Sequence, residues 1–251
     1  MNIALHAWKQ FSYKVVLEDI TEGFQRFYLK FIAISDRHSG AFNISLRDTR
    51  NAKRVLFVIA HPDDECRNYG MGSTRKKELY KSCKILGIEE SNIFIHSHTH
   101  LPDAMDVRWP TELVSNLVSN HIDSLNITTL ITFDRYGVSY HSNHSSIYYA
   151  VANLILDRKL PKGCGVYVLE SVNLLRKYWS VLDIPLSFIL SRFRYMGGYE
   201  DKKLLKEAMS VHESQLIWFR HLYMYFSRYT LINTLQQMNL VDIELDLEID
   251  D

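Results

Sequence analysis

Two short stretches hold most of the side chains in this chain that could do chemistry: His61-Pro62-Asp63-Asp64-Glu65 and His141-Ser142-Asn143-His144. Two imidazoles and one carboxylate, with a position left open for water, suit a catalytic divalent ion; zinc fits this set, and ferrous iron also does. His61 and Asp64 stand three apart across a tight turn, so both can reach one ion, and His144 supplies a third ligand from the other stretch. Asp63 then lies beside the ion but faces elsewhere, placed to take a proton from water as a general base. His141 precedes His144 by three residues, a spacing that keeps both on one side of a helix start. It is placed to stabilise an oxyanion or to protonate a leaving group. A rival cluster, His96-Ser97-His98-Thr99-His100, puts alternate histidines on one face of an extended segment, but no carboxylate sits in a matching position.

These stretches need a scaffold that brings them together. Val55 to Ala60 is a continuous apolar run, too short for a good helix, and reads as a strand buried on both faces. The spacing of Leu79, Cys83 and Leu86 predicts a helix over 73–86, closed by Gly87 in a left-handed cap. A strand follows at Ile93 to Ile95. Pro110 opens a helix with Leu113, Val114, Leu117, Val118 and Ile122 on one face. Leu130 to Phe133 is a third strand, Ile147 to Ile155 a helix, and Val166 to Leu169 a fourth strand. Strands alternating with amphipathic helices predict an α/β fold, with a Rossmann-like, mainly parallel sheet flanked by helices and followed by C-terminal helices. In such sheets ligands bind beyond the C-terminal strand ends. Both chemical stretches directly follow strands, so they converge if those strands are neighbours.

Beyond residue 170 the pattern predicts no further strand. A helix is expected over 202–215, and the aromatic segment 216–229 either covers the sheet or contacts a membrane surface. Before residue 54, Phe24, Phe27, Tyr28, Phe31 and Ile32 suggest one short helix, and 36–51 reads as a loop. The organisation expected is an unassigned segment 1–53, a catalytic domain 54–240, and a solvated acidic tail 241–251.

Composition narrows the function. Lys and Arg total 29, matching 29 Asp and Glu, so the basic surface a nucleic-acid binder needs is not implied. Three cysteines cannot all pair with one another, which favours a reducing compartment. No apolar run approaches the roughly 18 residues of a spanning helix, the N-terminus reads as no signal peptide, and no Gly-x-Ser-x-Gly elbow suggests a serine hydrolase.

Ala60-His61-Pro62-Asp63-Asp64-Glu65, Gly72-Ser73-Thr74-Arg75-Lys76-Lys77-Glu78-Leu79 and His141-Ser142-Asn143-His144 together resemble the PIG-L family of N-acetylglucosaminyl-phosphatidylinositol de-N-acetylases. The wider LmbE-like deacetylases share the first and last of these motifs. The similarity runs on through Leu160 to Cys164, Ser171 to Tyr178 and Ser214 to Arg220, covering roughly residues 54 to 235. It implies removal of acetate from the glucosamine of N-acetylglucosaminyl-phosphatidylinositol, an early step of glycosylphosphatidylinositol anchor synthesis, at the cytoplasmic face of the endoplasmic reticulum membrane. It implies zinc on His61, Asp64 and His144, Asp63 as base, His141 at the tetrahedral intermediate, and Arg75 near the substrate. Two departures stand out. The membrane helix with which this branch usually begins is not legible in 1–53, and a helix and a strand, on the order of 20 to 25 residues, are missing between the His-Pro-Asp-Asp-Glu turn and the Arg75 helix. A loosened turn predicts weak activity, and two alternatives follow: an inactive form that acts as an interaction protein, and a ferrous oxygenase, which the α/β pattern disfavours.

Overall fold

The computed structural model describes residues 13–17, 54–60, 72–216 and 218–244. Among them seven strands form one sheet: β1 (Tyr13–Leu17), β2 (Val55–Ile59), β3 (Ile93–Ser97), β4 (Thr129–Phe133), β5 (Gly165–Leu169), β6 (Phe193–Met196) and β7 (Ile232–Gln237), in the order β3-β1-β2-β4-β5-β7-β6. The central trio β2, β4 and β5 pairs in parallel. β1 and β7 run against their neighbours, so the other five strands share one direction, and the sheet is mainly parallel as the sequence predicts. The helices are α1 (Gly72–Ile85), α2 (Thr111–Leu125), α3 (Ser142–Leu156), α4 (Leu174–Tyr178), α5 (Asp183–Leu190), α6 (Tyr199–Ser210) and α7 (Trp218–Phe226).

Strand periodicity assigns the core. Leu56 and Val58 of β2 and Leu130 of β4 pack with Val114, Val118 and Ile122 of α2 and Ile147, Val151 and Leu154 of α3. Val55, Ile131 and Tyr167, one position out of phase, bury the other face with Leu235 of β7. All five residues of β4 are buried, as a central strand of a two-sided sheet requires. α1 ends where Gly87 takes φ +80°, and Ile88 N–H and Gly87 N–H close onto the carbonyls of Cys83 and Lys84, the paired bonds of a left-handed helix cap. Cys83 and Cys164 are free thiols, and burial pushes both up to about 11, so they stay protonated at neutral pH.

Three expectations change. Strands do not stop at residue 170: β6 and β7 extend the sheet beyond β5. β7 escaped notice because its buried positions include Thr234, wholly enclosed, so its sequence lacks the apolar alternation that marks a strand. The tail is not solvated from 241: Ile243 is fully enclosed in the main core. The segment before residue 54 contributes β1, which lies between β2 and β3, pairing Val16 with Val58 on one side and Phe94 on the other. The helix expected around Phe24 to Ile32 lies outside the described residues.

A buried ion cluster ties the C-terminal half together. Asp183, fully enclosed, pairs with Arg176 Nε at 2.6 Å and Arg228 Nε at 2.6 Å, and Ser187 Oγ donates to the same carboxylate at 2.6 Å. Burial alone would push the Asp183 carboxyl up; Arg176, Ser187 and Arg228 outweigh it, and it lies below the usual carboxylate range.

Two outcomes are expected. Val16→Pro removes an amide from a strand paired on both sides, which should cost about 3 kcal/mol and lower the melting temperature by about 6 to 12 °C; an unchanged melting curve would place β1 elsewhere. Asp183→Asn leaves Arg228 buried beside a neutral partner, at about 3 to 5 kcal/mol. The ion pair's contribution is complete above the unfolded carboxyl value of about 3.9 and declines as pH falls through the lower folded value. The variant should therefore flatten the acid limb of stability against pH, measured by urea unfolding.

Candidate functional site

β2 and β4 are parallel neighbours, with Val55 opposite Thr129 and Phe57 opposite Ile131, and Thr132 Oγ donates to Val58 O at 2.8 Å. The C-terminal ends of β2 and β4 therefore lie side by side at one edge of the sheet. His61, Asp63 and Asp64 lie outside the described residues. His141, His144 and Arg75 lie within them.

The segment after β4 is built around Asp134. Its Oδ1 accepts from Tyr136 N–H at 3.1 Å, Gly137 N–H at 3.0 Å and Ser171 Oγ at 2.6 Å, and its Oδ2 accepts from Ser171 N–H at 2.6 Å. Burial lifts this carboxyl above its ordinary range even though all four bonds pull it down. The bonds hold a turn that no unconstrained chain would keep. Gly137 has φ +56°, and a Cβ there would sit 2.5 Å from His144 Cβ. Val138 has φ +63° and Tyr140 φ +60°; for a β-branched residue this is a real outlier, and strain of this kind collects at functional sites. Val138 N–H donates to Ser171 Oγ at 2.7 Å, so one serine from the end of β5 secures both the carboxylate and the strained residue. Tyr229 brackets that serine, accepting from Val172 N–H and donating to Glu170 O.

The turn delivers two histidines in complementary states. His144, only 2 % exposed, places Nδ1 at 2.9 Å from Gly137 O. A carbonyl only accepts, so Nδ1 carries the proton and Nε2 keeps its lone pair, the arrangement that metal-binding histidines take when a backbone carbonyl orients them. His141 caps α3 and accepts from Asn143 N–H through Nδ1 at 3.2 Å, so its neutral form carries the proton on Nε2 and can donate. These protonation states follow from the hydrogen-bond partners. The rings stack, His141 on His144 at 4.7 Å and His144 on Phe133 at 4.2 Å. Nδ1 of His144 faces a carbonyl and Nδ1 of His141 faces an amide, so the two rings carry opposite tautomers.

Arg75 does not reach open solvent. It is 6 % exposed, and its Nη1 pairs with Asp103 at 2.9 Å. An ion pair thus stands where the resemblance implies a substrate contact. That pair anchors the segment lying on the start of α3: Asn143 accepts from Ala104 N–H and donates to Val107 O, and Ser142 N–H donates to Met105 O. Arg75 is therefore linked through Asp103 to the helix start that carries both histidines. Asp134, Gly137, Asn143 and Ser171 escaped sequence reasoning. Only Asp134, the first polar residue after a buried strand, left a usable signal.

Beside this helix start lies an open cleft of about 200 Å³ lined, among the described residues, by Arg108, Arg135, Tyr136, Tyr140, Ser142, Ser145 and Tyr149, none of them acidic. In the rival cluster His96 Nε2 lies 2.7 Å from His121 Nε2 of α2, so it is tied to that helix, while the His98 and His100 rings lie tilted against each other at 5.1 Å. Among the described residues no group of three or more His, Cys, Asp or Glu side chains is placed to hold a metal.

Fold and site define an α/β protein with a proton-donating and an electron-pair-donating histidine stacked at the C-terminal edge of its sheet. The family model PIG-L, GlcNAc-PI de-N-acetylase, matches residues 67–155. The N-acetylglucosaminyl-phosphatidylinositol de-N-acetylase of Bos taurus is 42% identical over 208 residues, covering 72% of this chain and 82% of the bovine one. A probable enzyme of that name from Schizosaccharomyces pombe is 33% identical, covering 73% and 86%. Among solved structures, the N,N'-diacetylchitobiose deacetylase of Pyrococcus horikoshii matches at 14% identity and a TM-score of 0.42, over 70% of this chain and 68% of that one. This chain belongs to the PIG-L family of GlcNAc-PI de-N-acetylases.

Gly137→Ala should displace His144, costing about 1 to 3 kcal/mol from overpacking, with a lower melting temperature and a moved His144 resonance in NMR. Ser171→Ala removes one of the four donors to Asp134 and the acceptor of Val138 N–H. It should loosen the turn that carries His144 and move the His144 resonance in NMR, while the fold persists by circular dichroism.

Proposed function

We propose that this chain hydrolyses the acetamide of N-acetylglucosaminyl-phosphatidylinositol, releasing acetate and a free glucosamine amine, in GPI-anchor biosynthesis at the cytoplasmic face of the endoplasmic reticulum membrane. The observation that carries this reading is the stacked pair His144 and His141, one Nδ1 on the Gly137 carbonyl and the other on the Asn143 amide, beyond the C-terminal end of β4. The 42% identity to the bovine de-N-acetylase supports the substrate.

His61, Asp64 and His144 would hold a divalent ion, zinc by donor type or ferrous iron. His144 fits such a group because Gly137 O orients its ring through Nδ1, which makes Nε2 the basic nitrogen of that tautomer. When bound, the ion polarises the acetyl carbonyl and lowers the pKa of its water. Asp63 takes the proton from the attacking water. His141 donates a hydrogen bond from Nε2 toward the carbonyl oxygen as negative charge develops there, and the proton that Asp63 took from water passes to the departing amine. The cleft lined by Arg108 and Arg135 suits the phosphodiester of the same substrate. Among the described residues no helix is long and apolar enough to cross a membrane.

The bovine alignment extends over 208 residues, more than this chain contributes to it, which supports the reading that a segment is absent here. Acetate release from N-acetylglucosaminyl-phosphatidylinositol, with chelator and with added zinc, tests the proposal. His144→Ala and Asp63→Asn should each lose at least about 10²-fold of the rate, and His144→Ala alone should lose stoichiometric zinc by metal analysis. Turnover that survives both chelation and His144→Ala would overturn the reading. Zinc bound at full stoichiometry without acetate release would favour the inactive, interaction-protein form.

A further inference from the structure

The segment after the Asp134–Ser171 junction is folded inside out. In α5, Asp183 and Ser187, one turn apart, are both fully enclosed, while Ile189 and Leu190 are 78 % and 60 % exposed. A helix on a water-soluble domain normally does the reverse, turning its apolar face to the core. The preceding residues follow suit: Leu174, Leu175, Val181 and Leu182 are exposed, Leu182 by 74 %, and Trp179 stands among them half exposed. The segment is no loose loop. Arg176, Asp183, Ser187 and Arg228 join beneath it in the buried ion cluster, where Arg228 Nη2 donates to Ser187 Oγ at 2.7 Å. A polar interior thus fixes an apolar exterior.

α7 lies beside it. Lys177 of α4 sits over the Tyr223 ring at 5.7 Å, and Trp218, Leu222, Tyr225 and Phe226 form an exposed stripe along α7. Across residues 171–194 and 216–231 the sequence holds one acidic residue, Asp183, against Arg176, Lys177, Arg192, Arg194, Arg220 and Arg228. Asp183, Arg220 and Arg228 are buried and Arg176 is held in the ion cluster, so among the described residues the charge these two segments turn outward is positive and is carried by Lys177, Arg192 and Arg194.

We propose that residues 174–190, together with the outer face of α7, form a docking surface for an anionic lipid bilayer. Its occupant is set by charge and side-chain type: aliphatic side chains to enter the acyl boundary, Trp179 and Trp218 for the headgroup layer, and basic residues for lipid phosphates. Contiguous exposed apolar area of this kind marks an interaction site. Its position serves the reaction above, and in that respect it rests on the deacetylase reading. Leu174 follows Ser171 by three residues, at most about 11 Å of chain, so the bilayer meets the protein next to the strand end where the histidines lie. A glycolipid could then reach the site with its acyl chains still in the membrane.

The test is co-sedimentation of the full chain with phosphatidylcholine vesicles, with and without phosphatidylinositol, beside acetate release from the water-soluble headgroup N-acetylglucosaminyl-inositol phosphate. The wild-type chain should bind the mixed vesicles more tightly than pure phosphatidylcholine. Leu182→Asp/Ile189→Asp should reduce that binding at least tenfold, with melting temperature and soluble-headgroup turnover unchanged. Absence of wild-type binding to either vesicle, or full binding by the double variant, overturns the proposal. A concentration-dependent dimer that the variant abolishes, without vesicle binding, overturns it too and assigns the face to a second copy. Vesicle binding that the variant abolishes, in a chain that releases no acetate from either substrate, would support the docking surface while refuting the deacetylase reading.

Discussion

Asp134 accepts four hydrogen bonds through one half-buried carboxylate, and the geometry of the whole histidine site hangs from it. Two of the donors are amides of the turn it begins, and the other two belong to Ser171, at the end of the neighbouring strand. A carboxylate out of water is costly unless its lone pairs are filled, and here filling them closes the turn. The same closure forces Gly137 and Val138 to positive φ, which aims the Gly137 carbonyl at His144. The strain at Val138 persists because Ser171 satisfies its amide as well, so the cost of one distorted residue is offset by bonds that the sheet already positions.

From that carbonyl follows the chemistry. His144 and His141 are the same residue type three positions apart, stacked at 4.7 Å, yet opposite protonation patterns separate their roles. One ring is oriented by a carbonyl and becomes an electron-pair donor. The other is oriented by a backbone amide at a helix start and becomes a proton donor. The Arg75–Asp103 pair and Asn143 hold the flank of the same helix start. Residues remote from any substrate thereby set the angles of those that would touch it, and errors near 1 Å in such angles are expensive for catalysis.

Much of this was legible beforehand. The apolar runs of β2 and β4, the Gly87 cap and the helix opened by Pro110 all stand close to where periodicity puts them, because each is a local pattern of period 2 or 3.6. The pairing of β2 with β4 was left open by the sequence, and the structure makes them parallel neighbours. β6 and β7 were not legible, since Thr234 and Arg194 interrupt their alternation and their burial depends on partners far along the chain. β1 was not legible either: nothing within Tyr13–Leu17 says that it will stand between β2 and β3, a place defined by two other strands. The pairing of Arg75 with Asp103 was not legible either, because the two stand 28 residues apart.

The sequence by itself determined β2 to β5 with the helices that alternate with them, and the motifs by which the chain resembles its family. These rest on short-range periodicity and on motif spacing, both of which one chain carries in full. Tertiary structure decided the rest: which nitrogen of each histidine holds its proton, which carboxylate closes the turn, and that residues 174–190 present their apolar side outward. Each of those depends on a partner distant in sequence. A helix with apolar residues on one side looks the same whether that side meets a core or a bilayer, and only the buried Arg176–Asp183–Arg228 cluster on the other side settles which way it faces.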